Sequence, residues 1–359
     1  MKGNFFQPGA LWLDDAGIPI NAHGGGILLH GGVYYWFGEH KVGGEPGNSA
    51  QVGVRVYSSE DLVHWSNKGI ALQVSGDANH DLARGCILER PKVIYNARTR
   101  QFVMWFHLEL LGQGYGAARS GVAVADCVTG PYRYLSSFRP NAGVWPKNAA
   151  AGECGALDAG EQRLIAEWLP NADEMRDCYP GNIFCRDFAG GQMARDMTLF
   201  VDDDQTAYQV YASEENGTLH ISQLSEDYLR PAGNYVRIFP GRFNEAPALF
   251  KTKSGDYYLI TSDCTGWSPN PARLSHAKSI WGPWEELGNP CRGSREEVAT
   301  TFWSQSTYVL PLAGDRFIYL GDRWNPMDAI DGRYVWLPIE FENGLPVLRW
   351  REKWSLEQL

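Results

Sequence analysis

The sequence predicts an all-β chain folded as a five-bladed β-propeller, with a partly helical insertion before the third blade. Three observations carry that expectation. Five stretches begin alike, each with a polar residue, an apolar strand residue four positions on, a Gly- or Asp-containing turn and an aromatic strand. Each stretch then continues into two further strands around a turn, and four strands per long-period repeat is the mark of a propeller. Finally, 13% of the 359 residues are aromatic, with 40 Gly and 20 Pro, which suits short strands and tight turns better than packed helices. The chain, residues 1–359, therefore reads as one propeller domain.

In chain order the repeats open at His23 (HGGGILLHGGVYYWF), Glu89 (ERPKVIYNARTRQFVMWF), Asp196 (DMTLFVDDDQTAYQVY), Glu245 (EAPALFKTKSGDYYLI) and Gln305 (QSTYVLPLAGDRFIYL). The residues four positions on are Ile27, Val93, Phe200, Leu249 and Val309. Successive openings lie 66, 107, 49 and 60 residues apart. A blade takes about 40–50 residues, so the long second interval holds an insertion, at about 141–192. Within it, GALDAGEQRLIAEWL reads as a helix with Leu164, Ile165, Trp168 and Leu169 on its apolar face. An insertion just before an inner strand lies at the same end of the propeller as the openings. It is either a lid or pocket wall, or a decoration packed on its own blade. The run Asp202, Asp203 and Asp204 has a calcium-loop composition but falls at a hairpin turn, where solvated carboxylates are the simpler reading. Gly24, Gly25 and Gly26 fit close backbone approach near the axis, and no helix follows to make them a phosphate loop.

Charge and cysteine usage narrow the partners. The formal net charge is −10 with no Lys/Arg block, which argues against nucleic acid and anionic membrane and leaves a neutral sugar ligand open. No run approaches the ~18 apolar residues of a membrane helix. The start, MKGNFFQPGALWLDDAG, lacks the apolar core of a signal peptide. The expected location is the cytoplasm, although a trimmed secreted or periplasmic form would look the same. Cys86, Cys127, Cys154, Cys178, Cys185, Cys264 and Cys291 are odd in number, scattered and without CxxC spacing, against a zinc site. They are expected as free thiols, with Cys178 and Cys185 close enough to pair under oxidising conditions. No cofactor is required, and an axial structural calcium has no sequence signature.

The openings also carry chemistry. First strands of all blades line the axis in the same direction, so their starts ring one mouth of the channel. That ring is His23, Glu89, Asp196, Glu245 and Gln305. Three carboxylates in one ring repel one another, so at least one pKa should rise, a cost tolerated mainly where a reaction or cation uses it. Glu89 beside Arg90, and Asp196 beside Arg195, could also be plain ion pairs. Two carboxyl groups across a small pocket suit glycoside hydrolysis, one protonating the leaving oxygen and the other activating water or attacking the sugar. Trp36, Tyr115, Trp267, Trp303 and Trp324 are candidate sugar platforms, or else packing between blades.

The motifs AHGGG (22–26), YYWFGEHK (34–41), ERPKV (89–93), RDMTLFVDDD (195–204), NEAPALF (244–250), TGWSPN (265–270), SQSTYVL (304–310) and GDRWNP (321–326) together resemble glycoside hydrolase family 43. The likeness covers nearly all of the chain outside the insertion and is closest to the exo-β-1,3-galactanase and arabinogalactan-degrading branch. It implies a five-bladed propeller and an inverting exo-glycosidase acting on an oligosaccharide or polysaccharide. The related alternatives are an α-L-arabinofuranosidase, a galactofuranosidase or, outside enzymes, a sugar-binding propeller. It places the general acid on Glu245 and an acid-orienting, pKa-tuning carboxylate on Asp196. The usual first-blade Asp base is missing from Asn21-Ala22-His23-Gly24, so water activation falls jointly to Glu89 and Gln305. Sugar-binding roles follow for Glu39, Arg90, Tyr115 and Thr265, with Trp267 as a platform. His23 either bonds a hydroxyl or caps the glycine turn.

Overall fold

The structure is a computed structural model and describes residues 4–43, 49, 51–150, 152–168 and 176–359. Five mainly antiparallel sheets match the five repeats. Blade 1 is β1 (His23–His30), β2 (Val33–Lys41), β3 (Gln51–Ser59) and β4 (Ser66–Gln73). Blade 2 is β5 (Ile87–Asn96), β6 (Gln101–Glu109), β7 (Arg119–Ala125) and β8 (Arg133–Phe138). Blade 3 is β9 (Met197–Val201), β10 (Ala207–Ser213), β11 (Thr218–Leu224) and β12 (Pro231–Ile238). Blade 4 is β13 (Asn244–Lys251), β14 (Tyr257–Asp263), β15 (Arg273–Ala277) and β16 (Glu285–Gly288). Blade 5 is β18 (Gln305–Leu312), β19 (Arg316–Arg323), β20 (Arg333–Glu342) and β21 (Leu345–Arg349), with the short β17 (Cys291–Arg292) parallel to β21 at its outer edge. The first strands pack in the cycle β1, β5, β9, β13, β18 and back to β1, which closes the ring.

The ends of the chain fasten blades 1 and 5 together. Phe6 and Trp354 form an antiparallel bridge, with Phe6 N donating to Trp354 O at 2.8 Å, and their rings stack 4.1 Å apart. Trp12, Trp36, Trp65, Trp336 and Tyr334 join them in one aromatic core. Each such ring pair adds about 0.5–1.5 kcal/mol beyond simple burial. Trp36 belongs to this core at 2% exposure, so it is packing and not a sugar platform.

The three glycines of β1 are demanded by close approach. A Cβ on Gly24 would lie 2.2 Å from Glu39 Oε1, one on Gly25 2.0 Å from Phe37 O, and one on Gly26 2.6 Å from Lys92 Cδ. Gly24 also has φ +58°.

The insertion contains helix α1 (Ala159–Glu167), closed at its start by a capping box of Asp158 and Glu161. Ile165 and Trp168 are buried against Ile183 and Phe243, as expected. Leu164 faces solvent instead, because only one side of this short helix meets the propeller. Leu169 lies outside the described residues. The insertion serves both readings weighed above, since Asn148, Tyr179, Gly181 and Phe184 pack on blade 3 while Arg176 reaches the cavity described below. A second short helix, α2 (Arg295–Thr300), precedes β18 and carries its own capping box at Ser294.

Asp202 and Asp203 at the β9–β10 turn hold Lys251 at 2.6 and 2.7 Å, which makes the triple-Asp run a salt-bridged turn. All seven cysteines are free, including Cys178, which is exposed.

Candidate active site

A repeated backbone device builds the mouth. In β1, β5 and β13 the register slips directly after the opening residue, between His23 and Gly26, Glu89 and Lys92, and Glu245 and Ala248. The next residue is left-handed in each case: Gly24, Arg90 and Ala246, with φ of 58°, 56° and 52°. Such bulges bend a strand and re-aim side chains. Each freed backbone N–H is taken by a carboxylate of the preceding blade. Gly24 N donates to Asp322 Oδ2 at 3.1 Å, Arg90 N to Glu39 Oε1 at 3.0 Å and Ala246 N to Asp196 Oδ2 at 3.1 Å. The left-handed backbone costs roughly 1–2 kcal/mol at the two non-glycine positions, and these charge-assisted bonds offset it.

The openings and these carboxylates surround a cavity of about 920 Å³. Glu39, Glu89, Arg90, Asp196, Glu245 and Gln305 line it, as do Tyr115, Thr265 and Trp267. Every residue that the resemblance gave a role is therefore brought together except His23; of the other aromatic candidates Trp324 joins them, while Trp303 lines only an adjoining recess and Trp36 is core. His23 is 1% exposed, stacks on Tyr334 at 5.2 Å and lies 3.6 Å from Asp322. It supports the wall behind Trp324 and does not line the cavity, because Gly332 and Tyr334 enclose its ring.

Arg90 organises the centre. Its guanidinium forks onto Asp196 (Nε–Oδ1 3.1 Å, Nη2–Oδ2 2.8 Å), reaches Gln305 Oε1 at 2.6 Å and donates to Ser306 O at 3.1 Å. The partner of Arg90 is thus Asp196 and not its neighbour Glu89, while Arg195 pairs with Glu215 at 2.9 Å and not with Asp196. Beneath lies Lys92, buried, donating to Gly24 O at 2.8 Å and Arg90 O at 3.3 Å. Burial and the nearby Arg90 charge pull its pKa down to about 7.

The carboxyl groups are driven apart electrostatically. Burial and the charge of Asp196 push Glu245 up to about 7. Asn216 Nδ2 (2.9 Å) and Cys264 Sγ (3.0 Å) both donate to its Oε1. Two donors on one oxygen favour the proton on the other, Oε2, which no donor among the described residues engages. Glu89 goes the other way. Burial opposes its ionisation, but bonds to His107 (2.9 Å) and Tyr115 (2.9 Å) and the imidazolium charge outweigh it and hold the carboxyl at about 2. His107 is raised to about 9 by Glu109, at 2.8 Å, and by Glu89, against its burial.

Sequence reasoning missed four residues here. His107 and Glu109 alternate along β6 and so share one face, a period-two signal that was present in WFHLEL. Asn216 and Cys264 come from turns, where no periodicity marks them. Glu89, His107 and Asp196 are also close enough to hold a cation, but both His107 nitrogens are already committed to Glu89 and Glu109, so the group does not suit one.

Aromatic surfaces edge the cavity. Trp324 donates Nε1–H to Gln305 Oε1 at 3.0 Å and meets Trp267 edge-on at 6.0 Å. Trp267, Trp324 and Gln305 also line an adjoining recess of about 390 Å³ with Trp303. Thr265 accepts from Asn270 Nδ2 at 2.7 Å, which fixes the loop carrying Trp267.

A propeller cavity that pairs a carboxyl raised to about 7 with one held at about 2, beside aromatic faces, is the arrangement of a glycoside hydrolase. Residues 178–305 match the profile of Glycosyl hydrolases family 43. The chain is 49% identical to a GH43 β-1,3-galactosidase solved with galactodeoxynojirimycin, over 98% of this chain and 100% of that one, with a TM-score of 0.91. It is 33% identical to the exo-β-1,3-galactanase of Phanerochaete chrysosporium solved with β-1,3-galactotriose, over 99% of this chain and 68% of that one, at a TM-score of 0.77. The exo-β-1,3-galactanase of Clostridium thermocellum is 34% identical, over 98% and 66%, also at 0.77. A β-D-galactofuranosidase of Aspergillus niger is 27% identical over 145 residues, 40% of this chain and 41% of that protein. The chain belongs to glycoside hydrolase family 43.

Proposed function

We propose that the protein is an inverting, exo-acting hydrolase that releases galactose from the non-reducing end of β-1,3-galactan or arabinogalactan-type glycans. The observation that carries the catalytic part is the split between Glu245, protonatable up to about pH 7, and Glu89, ionised above about pH 2, in one cavity. The likeness to β-1,3-galactosidases and exo-β-1,3-galactanases supports the choice of sugar and linkage.

In this reading Glu245 Oε2 delivers its proton to the departing glycosidic oxygen. Asp196 keeps that proton available at neutral pH by its charge, and its fork with Arg90 fixes it in place. Water activation falls to Glu89. Gln305 Oε1 accepts from both Arg90 and Trp324, and its Nε2 donates to Ser262 Oγ at 3.0 Å. An imidic form would need a proton on that oxygen, where two donors already point. A neutral amide held in this way orients groups and is not a base. A carboxylate with so low a pKa is a weak base, so it orients water and takes the proton late, as positive charge develops on the sugar. Direct attack by the water that Glu89 orients displaces the leaving group in one step, hence inversion.

The test is a panel of β-1,3-galactobiose, aryl α-L-arabinofuranoside and aryl β-D-galactofuranoside. Turnover of galactobiose far above the furanosides is the expected result. Preference for the galactofuranoside would replace the reading with the activity of the Aspergillus relative.

A further inference from the structure

The turn between β10 and β11 is a strained segment that borders the cavity. Glu214, Glu215 and Asn216 are consecutive, none is glycine, and all are left-handed, with φ of 54°, 56° and 65°. A single left-handed residue costs roughly 1–2 kcal/mol, so three in a row persist only where the surroundings impose them. The second and third residues point into the cavity: Glu215 meets Arg195 at 2.9 Å and Arg186 at 3.2 Å, and Asn216 donates to Glu245 Oε1 at 2.9 Å. The first residue points the opposite way, into the protein.

Glu214 is fully buried at 0% exposure. Arg237 clamps both its oxygens at 2.6 and 2.7 Å, His220 reaches Oε1 at 2.7 Å, and Thr218 and the Tyr179 hydroxyl bond Oε2. Arg237 in turn lies over the Phe184 ring at 4.1 Å and donates to Gly181 O at 2.9 Å, and Asn148 brackets its backbone. This ionic hub joins the insertion to blade 3 at the root of the strained turn. The hub makes no contact with the cavity itself.

From this arrangement we propose that Glu214 is a positioning residue for the catalytic acid. Its buried hub imposes the left-handed turn, the turn presents the Asn216 amide to Glu245 Oε1, and that bond leaves Oε2 as the oxygen that carries and delivers the proton. The insertion thereby acts on catalysis through Tyr179 and Arg237, away from the sugar. The proposal rests on Glu245 being the acid of a β-1,3-galactosidase, as read above.

The test exploits leaving-group chemistry. A natural sugar leaving group needs protonation and a dinitrophenolate does not, so a misplaced acid slows β-1,3-galactobiose and spares 2,4-dinitrophenyl β-galactoside. The variants are Glu214→Gln, Asn216→Ala and their double, with Tyr179→Phe as a milder change that deletes one donor to Glu214 and leaves the ion pair. Glu214→Gln and Asn216→Ala should each lower kcat/KM on galactobiose at least tenfold relative to the activated galactoside, within the range a general acid contributes. Both should also move the alkaline limb of the galactobiose pH profile. The other groups facing Glu245, namely Asp196, Arg90, Glu89 and Cys264, are unchanged in the variants, so a shifted limb reads the loss of the Asn216 bond. The double variant should be no worse than Asn216→Ala, and Tyr179→Phe should show a smaller effect of the same kind. Equal losses on both substrates, an unmoved pH profile or additive single effects would overturn the proposal, and Tyr179→Phe decides it if Glu214→Gln does not fold. Wild-type failure to cleave galactobiose would instead overturn the functional reading.

Discussion

Replacing Glu245 by Gln should stabilise the protein in a pH-dependent way. The carboxyl is raised from an ordinary 4.5 to about 7, chiefly by burial and by Asp196. Below pH 4.5 the group is protonated in both folded and unfolded chains and contributes nothing to the difference. Between pH 4.5 and 7 the unfolded chain ionises first, so folded wild type loses stability as pH rises, and the loss is complete above about 7. At 1.36 kcal/mol per pKa unit, the full loss is about 3 kcal/mol. Glutamine has the same shape, and its oxygen can still accept from Asn216 and Cys264. It remains neutral throughout, so the variant escapes the loss. Urea unfolding of both proteins at pH 4, 6 and 8.5 reads the difference directly. The expected outcome is a variant equal to wild type at pH 4 and more stable by about 3 kcal/mol at pH 8.5. A difference that does not change with pH would refute the raised pKa, and with it the choice of Glu245 as acid.

Three further outcomes follow from the same geometry. Arg90→Gln removes the cation that forks onto Asp196 and holds Gln305; leaving Asp196 without its buried partner should cost roughly 3–5 kcal/mol, measured by denaturation, and lower kcat/KM on galactobiose. Glu109→Gln removes one of the two anions raising His107, so more neutral imidazole faces Glu89 and the depressed pKa of Glu89 rises from about 2. Because a depressed carboxylate works only above its own pKa, the acidic limb of kcat/KM should move to higher pH, and an unmoved limb would contradict Glu89 as the water-orienting group. Gly25→Ala would set a Cβ 2.0 Å from Phe37 O and should cost at least about 1–3 kcal/mol on thermal unfolding, whereas Gly76→Ala, with open space around it, should be close to neutral.

The fold was legible because four-strand repeats with matching openings leave a long-period pattern, and the alignment of Glu89, Asp196, Glu245 and Gln305 identified the mouth correctly. His23 misled because its neighbours decide where it points: the same bulge follows Glu89 and Glu245, but here Gly332 and Tyr334 of blade 5 enclose the ring. Glu39 was legible only through its motif, since its dual contact with Arg90 N and Lys41 depends on how two blades meet. The same limit hid the carboxylate-capped bulges: Asp322, Glu39 and Asp196 each act on the next blade, at sequence separations no local pattern registers. Neighbouring charges in sequence were also poor guides to pairing, because bulges and loop ends aim adjacent side chains at different partners. Arg90 crosses to Asp196, and Arg195 crosses to Glu215.

The most direct test follows the first turnovers on β-1,3-galactobiose by proton NMR and reads the anomer of the galactose released from the non-reducing end. With Glu245 as acid and water as the attacking group, α-galactose should appear first and then mutarotate. β-Galactose as the first product would contradict the account.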